Sequence, residues 1–121
     1  MGKYVIKKTN TGFNFVLKAG NSEIIGVSEV YTTKATALAG IESIRKFAPL
    51  AEVEDQTVAN FSVLKNPKFE IYHDKAGQFR FRLKASNGQN VLASEAYTTK
   101  AKCQNGITSV KNNADSATVE E

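Results

Sequence analysis

Tryptophan is absent from this chain of 121 residues, and cysteine and histidine occur once each. A single thiol rules out an intramolecular disulfide framework and suits a reducing cytosol. One histidine and one cysteine are too few for a zinc site of ordinary donors, so no metal and no cofactor are expected. No apolar run approaches the ~20 residues that a membrane-spanning helix needs. The opening Met1-Gly2-Lys3-Tyr4-Val5-Ile6-Lys7-Lys8 has no long apolar segment, which argues against a signal peptide. Ile6 also stands where a myristoylation motif wants Ser or Thr. With 41% hydrophobic and 23% charged residues, the chain fits neither the disordered nor the collagen-like class. One soluble cytoplasmic domain without a membrane partner is the expectation.

What is present is a duplication. Displaced by 66 residues, Phe13-Asn14-Phe15-Val16-Leu17-Lys18-Ala19 falls on Phe79-Arg80-Phe81-Arg82-Leu83-Lys84-Ala85. The same shift lays Ser28-Glu29-Val30-Tyr31-Thr32-Thr33-Lys34-Ala35 on Ser94-Glu95-Ala96-Tyr97-Thr98-Thr99-Lys100-Ala101. Gly40-Ile41-Glu42-Ser43-Ile44 then meets Gly106-Ile107-Thr108-Ser109-Val110, giving 16 identities across the 35 positions from 13 to 47. The chain divides into repeat one (3–55), a linker (56–67) and repeat two (68–121), within one domain.

Each repeat reads as β-β-β-α-β. Residues Tyr4 to Lys8 and Phe13 to Ala19 alternate around an Asn/Thr/Gly turn, as do Phe69 to His73 and Gln78 to Ala85. Third strands are expected at Ile24 to Glu29 and Val91 to Glu95. Thr33 or Thr32, and Thr99 or Thr98, supply a hydroxyl to cap a helix. Behind them Ala37, Ile41, Ile44 and Ala48 recur at helical spacing, matched by Cys103, Ile107, Val110 and Ala114. Pro49 ends the first helix, and Asn112-Asn113 with Asp115 should loosen the second. Ala51 to Asp55 and Ala117 to Glu121 are short fourth strands. Gly40 and Gly106 inside the helices imply a close backbone approach, most simply to the sheet.

The inward face should carry Phe13, Phe15 and Leu17 with Phe79, Phe81 and Leu83, joined by Ile25, Val27, Val91 and Ala93. The linker's apolar Val58, Phe61, Val63 and Leu64 are expected to pack against the body.

The paired F-x-F-x-L-K-A strand, the S-E-x-Y-T-T-K-A corner and the G-I-x-S-[IV] helix together resemble the YegP-like family of small bacterial proteins. That resemblance covers most of the chain twice. It implies an α+β fold in which the two units share one mainly antiparallel sheet, with both helices on one face and the C-terminal strands exchanged. It supplies no mechanism. The duplication itself makes the chain an intramolecular pseudo-dimer, expected to be monomeric overall.

Chemistry is sparse. His73 sits beside Asp74 at a turn, where a solvated role outweighs catalysis, and Cys103 occupies the place of Ala37 on an apolar stripe. No catalytic residue is assigned. The repeated corner Tyr31-Thr32-Thr33-Lys34 and Tyr97-Thr98-Thr99-Lys100 could hold an anion at a helix N-terminus. Capping and packing outweigh that reading, because Glu29 and Glu95 oppose an anion.

Charge is the other signal. Residues 1–50 carry 7 basic and 3 acidic side chains, and residues 65–112 carry 9 and 3. Arg80, Arg82 and Lys84 alternate with inward residues and so line the opposite sheet face, with Lys18 in the weaker first-repeat set. Such a stripe can meet phosphates, although the net charge is only +4. The leading reading is a non-enzymatic binding or accessory protein of unknown ligand. Nucleic-acid or other polyanion binding on the basic face is the alternative, and an enzyme working at the helix corners ranks below both.

Overall fold

A computed structural model describes residues 2–121. Alternation places strands β1 (Lys3–Lys8) and β2 (Phe13–Lys18), then β3 (Ile24–Val27). Helix α1 (Lys34–Phe47) and strand β4 (Glu52–Asp55) complete repeat one. Repeat two follows the same course through β5 (Lys68–His73), β6 (Phe79–Lys84), β7 (Asn90–Ala93), α2 (Lys100–Ala114) and β8 (Thr118–Glu120). Thr33 and Thr99, rather than Thr32 and Thr98, are the helix caps. Each accepts a hydrogen bond from the amide three residues on, and Thr36 returns one to Thr33. The second helix runs through Asn112 and Asn113 to Ala114, longer than those residues suggested. Burial of Val110 and Ala114 outweighs the modest helix propensity of asparagine.

All eight strands form one sheet in the order β4-β5-β6-β7-β3-β2-β1-β8. The order reads the same when the repeats are exchanged, so a pseudo-twofold axis passes between β3 and β7. Neighbours are antiparallel except at the two ends, where β4 pairs with β5 and β8 with β1 in parallel. Each fourth strand therefore belongs to the other repeat's half of the sheet. The helices explain how: α1 packs on β2 of its own repeat and β7 of the other, and α2 on β6 and β3. Each crosses the seam and delivers its chain to the far edge.

One core lies between the sheet and the helices. Phe15, Leu17, Phe81, Leu83, Ile41 and Ile44 are fully buried there, and Phe13 and Phe79 pack at its margin. Ile25 and Val91 join it as expected, but Val27 and Ala93 do not. A register shift between Leu17 and Lys18, and again between Leu83 and Lys84, brings Val27 opposite Val16 and Ala93 opposite Arg82. Both therefore point to the other sheet face, while Gly26 and Leu92 turn inward opposite Leu17 and Leu83. A one-residue bulge exchanges the faces of everything beyond it.

The helix glycines do lie against the sheet, 3.4 Å from Phe15 and 3.0 Å from Phe81 for an added Cβ, but the corner tyrosines come closer still. A Cβ on Gly40 would collide with the Tyr31 hydroxyl, and one on Gly106 with that of Tyr97, before either reached the sheet. The linker also departs from expectation: Val58, Phe61 and Val63 are exposed, Val63 by 77%. Polar contacts anchor it instead, since they can be met at a sheet edge where there is no core to enter.

Candidate functional site

The repeated corner is built for structure. Ser28 Oγ accepts from the Phe15 amide and donates to the Glu29 carbonyl, both at 2.8 Å, and Ser94 repeats this with Phe81 and Glu95. The serines thus fill the place of a ladder partner where the third strand leaves the sheet. Tyr31 then bridges back to Phe13 and its ring stacks on Phe15 at 6.0 Å; Tyr97 does the same on Phe81 at 6.3 Å. Burial raises both phenol pKa values, helped by Glu29 at Tyr31 and by Cys103 and Glu95 at Tyr97.

Lys34 and Lys100 meet the strands that have crossed the seam. Lys34 pairs with Glu121, just beyond β8, and Lys100 pairs with Asp55 of β4 at 2.8 Å. Each helix-opening lysine clasps the strand that the other repeat has sent over. Thr32 and Thr98 are exposed and make no such contact. The corner's polar groups are thus committed to capping, turning and holding the exchange.

Cys103 is fully buried, and burial followed by the nearby Asp55 charge pushes its thiol up to about 11. It stays protonated and shielded. His73 lies exposed against Phe79, ring centroids 4.6 Å apart. Among the described residues no group of three or more His, Cys, Asp or Glu could hold a metal ion, and no helix is long and apolar enough to cross a membrane.

The open sheet face differs between its halves. Register aligns Glu120, Val5, Val16, Val27, Ala93, Arg82, Glu70 and Glu54 in one row across all eight strands. Repeat one contributes valines where repeat two has Glu70 and Arg82. The arginine stripe is internally paired: Arg82 Nε meets Glu70 and Arg80 Nε meets Asp74 at 2.9 Å, while Lys84 reaches only the Gly88 carbonyl at 3.4 Å. The Arg80 guanidinium pairs with Asp74, holding that carboxyl below its usual range. Lys18 is not brought to the stripe. Two strands separate β2 from β6, and Lys18 and Lys84 lie toward opposite ends of the row. Changing Arg80, Arg82 and Lys84 together to Ala should lower the thermal midpoint, more so at low salt where ion pairs count most. The unmodified protein should shift no nucleic acid at low salt; a salt-sensitive nucleic-acid complex would return the stripe to consideration.

Beside β4 the structure builds something that the sequence reading missed. Glu54 is 2% exposed and its carboxylate accepts from Lys68 Nζ at 2.7 Å, Gln56 Nε2 at 2.7 Å and the Leu64 amide at 2.6 Å. Burial alone would raise its pKa; the hydrogen bonds from Gln56, Lys68 and Leu64 outweigh that and hold it at about 2. One carboxylate therefore fastens both ends of the linker. The linker's last residues then stand opposite the end of α1 and enclose a groove of about 720 Å³. Phe47 and Leu50 form one wall, with Val63, Leu64 and Pro67 on the other; Lys46, Glu52 and Lys65 are its charged members. Leu50 is 83% exposed. The positions equivalent to Lys46, Phe47, Leu50 and Glu52 in repeat two are Asn112, Asn113, Ser116 and Thr118, all uncharged and polar. That mismatch between aligned repeats was the available signal.

Comparison with known proteins agrees with the duplicated fold. A domain of unknown function, DUF1508, matches residues 9–55 and again 74–121. The UPF0339 protein YegP of Escherichia coli K12 is 40% identical over 116 residues, covering 95% of this chain and 91% of its own. A UPF0339 protein of Bordetella pertussis is likewise 40% identical over 116 residues, with 96% and 91% covered. The solution structure of UPF0339 protein SO3888 from Shewanella oneidensis superposes with a TM-score of 0.80 at 34% identity, covering 98% of this chain and 89% of that one.

Proposed function

The chain belongs to the DUF1508 family, and on that premise we propose that it is a non-enzymatic binding protein, monomeric and cytoplasmic, whose site is the groove between the end of α1 and the linker. The observation that carries this reading is the one-sided exposure of apolar side chains. Leu50 and Val63 stand 83% and 77% exposed across a concavity, while repeat two has Asn113 and Ser116 where repeat one has Phe47 and Leu50. Two solvated aliphatic side chains contribute nothing to folding, and covering them would return about 1.5–3 kcal/mol each. A groove of this size also falls within the usual range for small-ligand sites.

The test uses a fluorescent hydrophobic dye with the intact protein. The parent should bind it, Leu50→Ser and Val63→Ser should each weaken binding about tenfold, and Ser116→Ala should leave it unchanged. Dye binding that survives both substitutions would place the apolar site elsewhere and sink the reading. Neither change should disturb the fold, since exposed substitutions usually cost within about 0.5 kcal/mol.

A further inference from the structure

Resting on the groove as the binding site, we infer that its ligand is an anionic amphiphile: a soluble, single-chain carboxylate whose alkyl part lies between Leu50 and Val63 and whose charge is held by Lys46 and Lys65. Four lysines elsewhere are paired with acids of the exchanged strands or beside them: Lys3 with Glu120, Lys34 with Glu121, Lys68 with Glu54 and Lys100 with Asp55. Lys46 and Lys65 line the groove and have no ion pair among the described residues. They come from opposite walls, one from the last turn of α1 and one from the linker. Lys46 Nζ lies 5.9 Å from the centre of the Phe47 ring, which sets its charge directly above an apolar wall.

Glu52 is the groove's one acid, so two positive charges face one negative across an otherwise apolar cleft. A cationic amphiphile would meet the lysine pair, and an uncharged one would leave it unused. The lysine at position 46 is also one-sided, since its equivalent in repeat two is Asn112. At the aligned positions the lysine and the apolar side chains therefore occur together in repeat one, where repeat two has Asn112, Asn113 and Ser116. A concave cleft of about 720 Å³ encloses a single chain, whereas a lipid bilayer needs a flat or convex apolar surface.

Amide chemical shifts of the full-length protein, titrated with decanoate, decanol and decyltrimethylammonium below their micelle concentrations, test this. Decanoate should bind about fivefold more tightly than decanol and the ammonium compound most weakly, with shifts centred on Phe47, Leu50, Val63 and Leu64. Two exposed ion pairs support a preference of that size. In the double variant Lys46→Gln/Lys65→Gln the decanoate preference should vanish while decanol affinity holds. Raising the salt should shrink the preference in the parent. Equal affinity for decanoate and decanol in the parent overturns the anionic ligand and leaves the groove standing. Failure of all three probes removes the groove itself. A decanoate preference kept by the double variant assigns the charge recognition to other residues and overturns the inference. Tighter binding of an acetylated Leu/Glu peptide, or sedimentation with anionic vesicles that Leu50→Ser abolishes, would make the occupant a protein segment or a membrane.

Discussion

Replacing Leu92 by Ala should cost about 3 kcal/mol, and Gly26→Ala about 2 kcal/mol, yet the double variant should be no less stable than Leu92→Ala alone. Leu92 is 1% exposed and sits at the seam where the two repeats meet. Among the described residues the seam has one laddered pair, Val27 with Ala93, so side-chain packing there carries much of the junction. Gly26 and Leu92 occupy equivalent positions in the two repeats, but the larger residue fits only because the smaller one leaves room. A Cβ on Gly26 would lie 2.5 Å from Leu92 Cγ and 2.6 Å from Cδ2. Leu92 has nowhere to retreat within a closed core, so the added methyl group strains its neighbours. Once Leu92 is shortened the same methyl fills part of the space it left. Chemical denaturation of the four proteins gives the coupling directly. Additive losses would mean that the two residues do not share a cavity and that the seam is held some other way.

Glu54→Ala should destabilise the fold by about 3 kcal/mol, because it leaves Lys68 buried with only Glu70, at 3.3 Å, to balance it. In a domain of this size that corresponds to roughly 10 °C in thermal midpoint. Glu54→Leu with Lys68→Met removes both charges together and should recover most of the loss. It should not recover the linker. The Leu64 amide loses its acceptor in both variants, so its hydrogen exchange should stay fast and dye binding in the groove should weaken. The carboxyl is held at about 2, below its ordinary 4.5, so its contribution is complete above about pH 4.5 and is lost as the pH falls through about 2. Acid unfolding of the double variant should accordingly start at lower pH than that of the parent. If Leu64 exchanges at the parent rate without Glu54, the carboxylate does not hold the linker.

The two halves of the molecule were unequally legible. Hairpins, helices and short fourth strands all followed from local patterns, because alternation, hydroxyl caps and helical spacing are properties of neighbouring residues. The choice of Thr33 over Thr32 was not local in that sense. It depends on where Tyr31 is pinned to Phe13, and only the paired strands set that point. Alternation alone puts Val27 and Ala93 on the inward face, and the register shift that turns them outward leaves no mark in it.

The basic stripe shows the same limit in another form. Arg80, Arg82 and Lys84 do share a face, as their spacing requires, but cross-strand register supplies Arg82 with Glu70 from the neighbouring strand and the hairpin turn supplies Arg80 with Asp74. A charge is a surface feature only until its neighbours are known.

By itself the sequence determined that the chain is a duplicated β-β-β-α-β unit, since an internal comparison needs no coordinates. It also determined which helix faces and which second-strand residues are inward, because burial there follows period. The tertiary structure alone decided the meeting of Gly26 with Leu92, the clasp of each exchanged strand by the other repeat's lysine, and the groove fastened by Glu54. Each joins residues that are distant along the chain or unlike between repeats. Their energies depend on separation in space, a quantity that neither composition nor periodicity contains.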